Sequence, residues 1–439
     1  MGGIAKLKVG FVSLGCSKNL VDTEMLIGLF ENKKHKIVNN PNEAEIIIIN
    51  TCGFIESAKQ EAIDTIFEML EYKKKKCKHI IVMGCLVQRY KKDLENALPE
   101  VDLFISIDEY NKFSEKIENL LNSKQDYREL NYLDRVITTG NKFAYLKIAE
   151  GCSNKCTYCA IPYIRGPFIS RKMEDIIEEA EELAKKGIEE IIVIAQDTTK
   201  YGTDLYGKPM LAELLRRLCY LNKFKWIRFL YAYPESITDE LIKVVKENKQ
   251  ICNYFDIPIQ HISNTVLKRM NRKTKEEDIK NLIKKIRKEI PDAILRTSLI
   301  VGFPGETEDD YRKLYDFVKE IKFDKLGTFM YSKEDGTPAE KLDNQIHYQT
   351  KKKRYNEIMK LSSEISRENL ETKLGKEFEV LIESKTFDNK YYVGRSYMDI
   401  PETDGVVFIK NETKEELLDK FINIKVIDIE NYDLVGEVK

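Results

Sequence analysis

Three cysteines on one short loop, Cys152, Cys156 and Cys159, constrain the fold of this chain more than any other feature. Their spacing is C-x3-C-x2-C, and they directly follow the apolar run 143–148, which predicts a strand leading into the loop. Such a loop can wrap one face of a 4Fe–4S cubane. Three cysteines would bind three of its four irons and leave the fourth open for another ligand. A structural zinc site would need a fourth ligand nearby, but the next cysteine, Cys219, lies 60 residues on. The remaining alternative, buried cysteines used as small apolar side chains, is not favoured by this spacing.

Three further cysteines each follow a β-branched apolar run in the first third of the chain, and these are Cys16, Cys52 and Cys85. Continuous runs of this kind are typical of strands buried on both faces, and helical patterns over 20–31 and 55–72 separate them. The alternation predicts a doubly wound parallel α/β domain, which binds ligands at the carboxyl ends of its strands. If the three strands are neighbours, the thiols meet at that edge and indicate a second iron–sulfur cluster. Buried cysteines or a redox thiol pair are the alternatives.

Composition excludes several classes of protein. The chain has 72 Lys+Arg and 73 Asp+Glu, a net charge of −1, so a globally basic nucleic-acid binder with a specific DNA target is not indicated. Its apolar runs are too short to cross a bilayer, and the N-terminus lacks the apolar core of a signal peptide. Nine cysteines, an odd number, fit metal ligation in a reducing cytoplasm better than a disulfide framework. We therefore expect a cytoplasmic protein with no membrane segment.

The middle of the chain alternates strands with amphipathic helices. The strand candidates span residues 145–148, 190–195, 226–231, 254–257, 294–301 and 325–331. This pattern predicts a partial (β/α)6 barrel, related to the eight-fold barrel, with the cysteine loop after its first strand. Polar or special residues follow several strands, as at Gln196, Gln260 and Gly302. Packing of a barrel interior does not require them, whereas a site built from several strand ends does.

The cysteine loop, with aromatic Tyr158 just before its third cysteine, resembles the signature of the radical S-adenosylmethionine (SAM) enzymes. The resemblance implies that SAM binds the open iron through its amino and carboxylate groups and is cleaved to a 5′-deoxyadenosyl radical. The stretch 300–306, which contains Gly302, resembles the fifth-strand motif on which the adenine of SAM rests.

Chemistry and this resemblance together suggest further SAM contacts. Gln196, Gln260 and Ser298 are candidates for hydrogen bonds to the ribose or to the methionyl carboxylate, and Arg296 is a candidate partner for the carboxylate. For each of them the alternative is an ordinary polar residue at a strand end.

Essentially the whole chain resembles the methylthiotransferases, which join an N-terminal three-cysteine domain, a radical-SAM core and a small all-β barrel called a TRAM domain. We expect these domains over residues 6–122, 138–368 and 371–439, with a polar connector over about 123–140. The resemblance implies a radical 4Fe–4S cluster on the C-x3-C-x2-C loop. It also implies an auxiliary 4Fe–4S cluster, which carries the sulfur, on the three strand-end cysteines.

Several segments are similar to the branch of the family that modifies a ribosomal protein, namely 13–22, 50–58, 84–90, 196–207 and 256–261. After the first cysteine the tRNA-modifying branch usually has Gln-Met-Asn, where this chain has Ser17-Lys18-Asn19. The implied reaction is methylthiolation of the β-carbon of an aspartate in the basic small-subunit ribosomal protein S-twelve. One SAM would donate the methyl group and a second would be the radical source, with an external electron donor and a sulfur donor.

The charge of the C-terminal region bears on the substrate. Residues 372–439 contain 10 Lys+Arg and 15 Asp+Glu, a net charge of −5. An acidic barrel repels a phosphate backbone and attracts a basic protein, which favours the ribosomal-protein branch. The alternatives are a tRNA adenosine methylthiotransferase and a non-enzymatic iron–sulfur sensor on ribosomes; a sensor would not cleave SAM.

Overall fold

The N-terminal domain is built on a five-stranded parallel sheet of order β2-β1-β3-β4-β5. The computed structural model of the protein describes residues 6–122, 127, 129–411 and 415–439. In this domain the strands are β1 (Lys8–Ser13), β2 (Lys36–Ile37), β3 (Ile46–Thr51), β4 (His79–Gly84) and β5 (Leu103–Ile105). The helices are α1 (Ser17–Asn32), α2 (Glu56–Leu70), α3 (Cys85–Ala97) and α4 (Phe113–Leu121).

The run of isoleucines in β3 follows from its central position. Ile46 and Ile48 pack into the core on one face of the sheet, and Ile47 and Ile49 pack into the core on the other. Successive side chains of a strand point to opposite faces, so a strand covered on both sides is apolar throughout. The predicted doubly wound domain is confirmed.

The central domain contains six barrel strands, as predicted. The strands of this domain are β6 (Phe143–Lys147), β7 (Ala149–Glu150), β8 (Ile169–Ser170), β9 (Glu190–Ile194), β10 (Trp226–Phe229), β11 (Tyr254–Asp256), β12 (Ile294–Val301) and β13 (Lys325–Met330). Strands β10-β9-β6 and β11-β12-β13 form two parallel sheets, joined by a parallel bridge between Ile227 and Ile251. Strands β7 and β8 form a separate short pair.

Helices cover the outside of this partial barrel. They are α6 (Met173–Lys185), α7 (Leu211–Tyr220), α8 (Asp239–Glu247), α9 (Asn264–Arg269), α10 (Glu276–Glu289), α11 (Glu308–Ile321) and α12 (Tyr348–Glu371). A further short helix, α5 (Ile161–Arg165), lies against the N-terminal domain instead. Strand and helix side chains share one large core, which includes Leu299 and Val301 of β12 and Ile283 of α10. None of the helices in the described ranges is both long and apolar enough to cross a bilayer.

The C-terminal domain is a closed barrel of order β14-β15-β16-β18-β17. Its strands are β14 (Glu377–Lys385), β15 (Tyr391–Ser396), β16 (Val407–Lys410), β17 (Phe421–Glu430) and β18 (Asp433–Val438). The predicted small all-β barrel is confirmed, and β18 is a strand that the sequence pattern did not indicate.

This C-terminal barrel forms the floor of the central barrel. Trp226, Tyr254 and Ile294, at the N-terminal ends of their strands, belong to the same apolar cluster as the interior of the C-terminal barrel. Buried Glu190 of β9 joins the two domains, because it accepts hydrogen bonds from Arg228 (2.9 Å) and from Arg395 of β15 (2.7 Å). Although burial opposes ionisation, these two arginines lower the pKa of Glu190.

The N-terminal domain contacts the central barrel at its two outer strands, through β6 itself and through the segment that follows β13. Lys147 of β6 pairs with Asp22 of α1. On the other side, Glu334, which follows β13, accepts a hydrogen bond from Arg89 of α3 (3.1 Å) and pairs with Lys59 of α2 (3.3 Å). In the described sheets β6 and β13 are not paired with each other, so the barrel is open between them. The N-terminal domain bridges this open side.

The predicted polar connector is partly an interior element. Residues 123–126 and 128 of it lie outside the described residues. Farther on, Arg135 is fully buried; it donates to Glu24 of α1 (2.8 Å), pairs with Glu179 of α6 (2.9 Å) and donates to the carbonyl of Tyr145. One arginine thus joins three elements that the sequence left unconnected.

Candidate active site

The first set of thiols, here called the loop triad, consists of Cys152, Cys156 and Cys159. It lies between β7 and α5, just beyond the carboxyl end of β6. The amide of Cys152 donates to the carbonyl of Gly166 at 3.1 Å, which closes the loop. Thr157 donates from its amide to the carbonyl of Met270 (3.1 Å) and from its hydroxyl to that of Arg269 (2.8 Å). The loop is therefore fixed both by its own backbone and by the segment after α9.

Burial controls the protonation of this triad. Cys152 and Cys156 are buried, and Cys159 is half-buried. Burial raises the pKa of the Cys152 and Cys159 thiols, so both are protonated at neutral pH in the absence of a metal. A cluster that binds here must displace those protons.

The second set, the strand-end triad, consists of Cys16, Cys52 and Cys85. These residues follow β1, β3 and β4, which are adjacent in the sheet, so the predicted neighbourhood of the three strands is confirmed. Two glycines allow the segments to approach. Gly15 has φ +91°, and a Cβ there would lie 2.8 Å from the Cβ of Cys52; Gly84 has φ +100°, and a Cβ there would lie 2.3 Å from Oδ1 of Asn50.

The thiols of this triad differ in their environments. Desolvation by itself would raise the pKa of Cys16, but Lys18, Arg165 and the amides of Asn19 and Lys18 lower it. Cys85 is buried, and burial raises its pKa to about 12. The triad therefore combines one accessible thiol prone to ionisation with a deeply buried one.

Helix α5 lies between the two triads. Cys85 packs against Ala160 and Ile164, and Ala160 directly follows Cys159 in the chain. The two sets of thiols are therefore separated by a single short helix, although they lie on different domains.

Charged side chains fix this helix to the N-terminal domain. Arg165, the last residue of α5, donates to both oxygens of Glu150 (2.9 and 3.0 Å) and to Asp22 of α1 (3.0 Å). It also donates to Oδ1 of Asn19. Lys147 pairs with the same two carboxylates. Arg165 could not be identified from the sequence, because an isolated arginine next to an apolar segment carries no recognisable signal.

Three of the residues predicted to contact SAM lie near the carboxyl ends of the strands. The ring of Tyr158 packs edge-on against Phe303, with ring centroids 6.4 Å apart. Gln196 is half-buried just after β9. Gln260 has a positive φ of 69° and extends the pairing beside β12, since its amide donates to Ser298 at 2.9 Å and its carbonyl accepts from Ile300 at 2.8 Å.

The other three lie along β12 and after it. Ser298 is half-buried on the strand face opposite Leu299, which packs under the outer helices, so Ser298 faces the barrel interior. Arg296 shares that face but lies near the opposite end of the strand, where it donates to Asp256 (2.8 Å) and approaches Asp404 of the C-terminal domain (3.7 Å). A role for Arg296 with SAM stays a prediction that this pairing does not favour.

Gly302 has a packing role that the sequence did not reveal. Its φ is +72°, and a Cβ there would lie 2.4 Å from Cγ of Lys351 on α12. Its amide donates to Glu306 at 2.7 Å, as does the amide of Phe303 at 3.1 Å. The glycine therefore admits the side chain of Lys351 beside a turn held by Glu306, and its contact with SAM stays a prediction.

Arg272 is a second site residue that no sequence pattern indicates. Its guanidinium lies 4.3 Å from the ring centroid of Tyr233 and donates to the carbonyl of Pro258 at 3.1 Å. Its Nε and Nη1 are buried without a hydrogen-bond partner in the described part of the chain. Burial raises the pKa of Tyr158, and the positive charge of nearby Arg272 opposes this rise. Because Tyr158 immediately precedes Cys159, Arg272 lies beside the loop triad. Two unpartnered N–H donors there fit an anionic ligand.

Both thiol sets have the donor chemistry of an iron–sulfur site. Over the described ranges, no three His, Cys, Asp or Glu side chains come close enough to hold one metal ion. In a 4Fe–4S cubane each thiolate binds a separate iron, so the ligands lie farther apart than around one ion. Each triad offers three cysteines, a donor set that suits such a cluster.

Models of three protein families match the chain. The Radical SAM superfamily matches residues 146–318, the Uncharacterized protein family UPF0004 matches residues 8–106, and the TRAM domain matches residues 374–438. These three matches fall on the central, N-terminal and C-terminal domains described above.

Curated relatives match nearly the full length. A protein of Alkaliphilus oremlandii named "Ribosomal protein uS12 methylthiotransferase RimO" is 63% identical over 433 residues, covering 98% of this chain and 99% of the relative. Proteins of the same name from Clostridioides difficile (51% identical, covering 98% and 99%) and Acetivibrio thermocellus (49%, covering 99% and 98%) are also similar.

Solved structures share the fold at low identity. The radical SAM methyltransferase TsrM from Kitasatospora setae, with cobalamin and a 4Fe–4S cluster bound, has a TM-score of 0.57 at 12% identity, covering 76% of this chain and 77% of TsrM. The cobalamin-dependent radical SAM enzyme OxsB has a TM-score of 0.51 at 15% identity, covering 83% and 62%. At such identities these structures support the fold alone.

Proposed function

Since this chain belongs to the RimO family of ribosomal protein uS12 methylthiotransferases, we propose that it attaches a methylthio group to the β-carbon of an aspartate in uS12. The observation that carries the proposal is the packing of Cys85 against Ala160, the residue next to Cys159. Two triads one helix apart suit a reaction in which a carbon is activated beside one cluster and receives sulfur from another.

The family implies an iron–sulfur cluster and SAM, and we assign the radical cluster to the loop triad. We assign a second 4Fe–4S cluster to the strand-end triad. When bound, these groups and two SAM molecules supply the electron, the 5′-deoxyadenosyl radical, the sulfur and the methyl group. The protein's own contribution is to bind and orient them and to exclude water.

The residues around the loop triad suit a bound SAM. The two free N–H donors of Arg272 would bind the SAM carboxylate, as a guanidinium binds a carboxylate in a strong charge-assisted pair. Gln260 and Ser298, side by side at the barrel mouth, would bind the ribose hydroxyls. The N-terminal domain, which bridges β6 and β13, would shield this space from water.

A basic protein substrate suits the acidic C-terminal domain. Part of that acidity is internal: Asp399 pairs with Lys325 at 2.6 Å, and Asp404 accepts from Tyr254. The charge argument therefore rests on the remaining carboxylates, such as exposed Glu402 and Glu437. We propose that the enzyme acts in the cytoplasm, on free or ribosome-bound uS12, with an external electron donor and an external sulfur donor.

The decisive experiment is anaerobic reconstitution of the full chain with iron and sulfide, followed by SAM, a strong reductant and either uS12 or tRNA. Mass spectrometry then follows a methylthio gain on each substrate. A gain on the aspartate-bearing peptide of uS12 supports the proposal. A gain on tRNA alone, or SAM cleavage with neither product, overturns it.

A further inference from the structure

Lys18 is a buried lysine whose ammonium has no carboxylate partner among the described residues. It is the second residue of α1, its exposed fraction is 4%, and its ammonium lies 3.4 Å from the ring centroid of Tyr231. No carboxylate and no hydrogen-bond acceptor contacts its ammonium among the described residues. An unpaired buried charge is unfavourable, and an aromatic face compensates for only part of that cost.

The position of Lys18 points to a ligand between the two domains. Lys18 follows Cys16 of the strand-end triad by two residues. Tyr231 lies just beyond the carboxyl end of β10, with a positive φ of 60°, and its amide donates to Asp256 at 2.9 Å. The lysine thus extends from the triad of the N-terminal domain to the mouth of the barrel.

The other buried cations around this space already have carboxylate partners. Arg165 and Lys147 share Glu150 and Asp22, and Arg296 pairs with Asp256. Arg272 lies on the side of the loop triad, where SAM would bind. Among the residues that the structure describes, Lys18 is therefore the buried cation available to an anionic group beside the strand-end triad.

We propose that Lys18 binds the side-chain carboxylate of the substrate aspartate. The inference rests on the proposed function. In aspartate the β-carbon is bonded directly to the carboxylate carbon. A cation that holds the carboxylate therefore also fixes the position of the reacting β-carbon. The carboxylate of SAM has the same chemistry, so the test must distinguish the two.

The test uses the reconstituted full chain and a uS12 peptide carrying either the aspartate or an asparagine at the modified position. Dissociation constants for both peptides and for SAM are measured for wild type, Lys18→Met, Lys18→Arg and the exposed control Lys92→Met. A charge-assisted hydrogen bond lost from a desolvated site weakens binding by about ten- to a hundredfold. We expect Lys18→Met to bind the aspartate peptide that much more weakly and to lose the preference for aspartate over asparagine.

The remaining readouts separate the possible outcomes. The proposal expects Lys18→Arg to recover part of the preference, Lys92→Met to match wild type, and the SAM affinity to stay within about twofold in all variants. An unchanged aspartate preference in Lys18→Met overturns the proposal, and so does a weakened SAM affinity with that preference intact. Lys18→Gln gives the same comparison if the methionine variant loads iron poorly. If wild type cleaves SAM but leaves the aspartate peptide unmodified, the proposed function itself is wrong and this inference falls with it.

Discussion

The two cysteine triads are built in opposite ways. The loop triad comes from eight consecutive residues, 152–159, held by hydrogen bonds from nearby backbone. The strand-end triad comes from three strands up to 69 residues apart in the chain, brought together by sheet order and by two glycines at positive φ. The first is contiguous in the sequence and is also anchored by the end of α9, whereas the second exists only if the whole N-terminal domain folds.

The largest expected effect is a loss of activity that differs between the two triads. Cys156→Ala should abolish both SAM cleavage and methylthio product, whereas Cys85→Ala should abolish the product and leave reductive SAM cleavage measurable. Cys219→Ala, a buried cysteine in the outer core, is the control and should retain both activities. The measurement is chromatography of 5′-deoxyadenosine beside mass spectrometry of uS12. Product formation by Cys85→Ala would remove the strand-end triad from the reaction.

The second prediction tests the dependence of the strand-end triad on backbone geometry. Gly15→Ala should lower the iron content from about eight to about four per chain, because the new Cβ would collide with Cys52. Gly187→Ala is matched to it, since Gly187 also has a positive φ of 88° but has open space around its missing Cβ. The control should lose about 1 kcal/mol of stability and no iron. Equal iron loss in both variants would show that the collision is not the cause.

The third prediction concerns the link between the triads. Arg165→Met leaves buried Asp22 and half-buried Glu150 with only Lys147 as a counter-ion, and should lower the free energy of unfolding by about 3 kcal/mol. Arg217→Met removes the pair of Arg217 with Glu213, both more than one third exposed, and should cost less than about 1 kcal/mol. Urea titration of the two variants measures the difference. A loss of similar size in both would mean that the buried network contributes no more than a surface pair.

The smallest expected effect concerns how stability depends on pH. One carboxyl group of the central domain and one of the N-terminal domain should change stability in opposite directions. Burial raises the pKa of Glu306, beside Gly302, from 4.5 to about 7, so the folded state keeps a proton that the unfolded chain has lost. Stability should fall by about 3 kcal/mol as pH rises from 4.5 through 7, and Glu306→Gln should abolish that slope.

Glu109 of the N-terminal domain is the counterpart. Although partial burial opposes it, hydrogen bonds from Lys91, Ser106 and Lys116 hold its pKa at about 2. Its contribution of about 1–2 kcal/mol, reduced by solvent screening, is complete above pH 4.5 and lost as pH falls toward 2. Thermal unfolding between pH 3 and 8 of Glu306→Gln and Glu109→Gln checks both signs; the same sign in both would contradict the assignment.

Periodicity and spacing predicted the parts of this molecule that depend on local sequence. The isoleucines of β3 indicated a strand buried on both faces, and the six strand–helix units indicated the partial barrel; both are confirmed. The predicted domain bounds and the roles of the six cysteines as cluster ligands stay predictions. The strand-end cysteines do lie at the ends of adjacent strands, where the strand pattern indicated.

Contacts between domains could not be predicted in the same way. Arg135 lies in a stretch without periodicity, and only the folded chain brings it to Glu24 and Glu179. Arg165, Arg272 and Lys18 are single charged residues whose meaning depends on which carboxylates reach them. At Gly302 the sequence predicts a ligand contact, and no local pattern reveals that the side chain of Lys351 occupies the space beside it.

The floor of the central barrel has a consequence for biosynthesis. Trp226, Tyr254 and Ile294 are covered by residues from 380 to 434, which a ribosome makes after the whole central barrel. During translation the nascent barrel therefore emerges with its lower end open and apolar. The core of this enzyme can complete its folding only after the C-terminal domain has left the exit tunnel, so a chain stalled before residue 434 should depend on chaperones even though every cysteine has already been made.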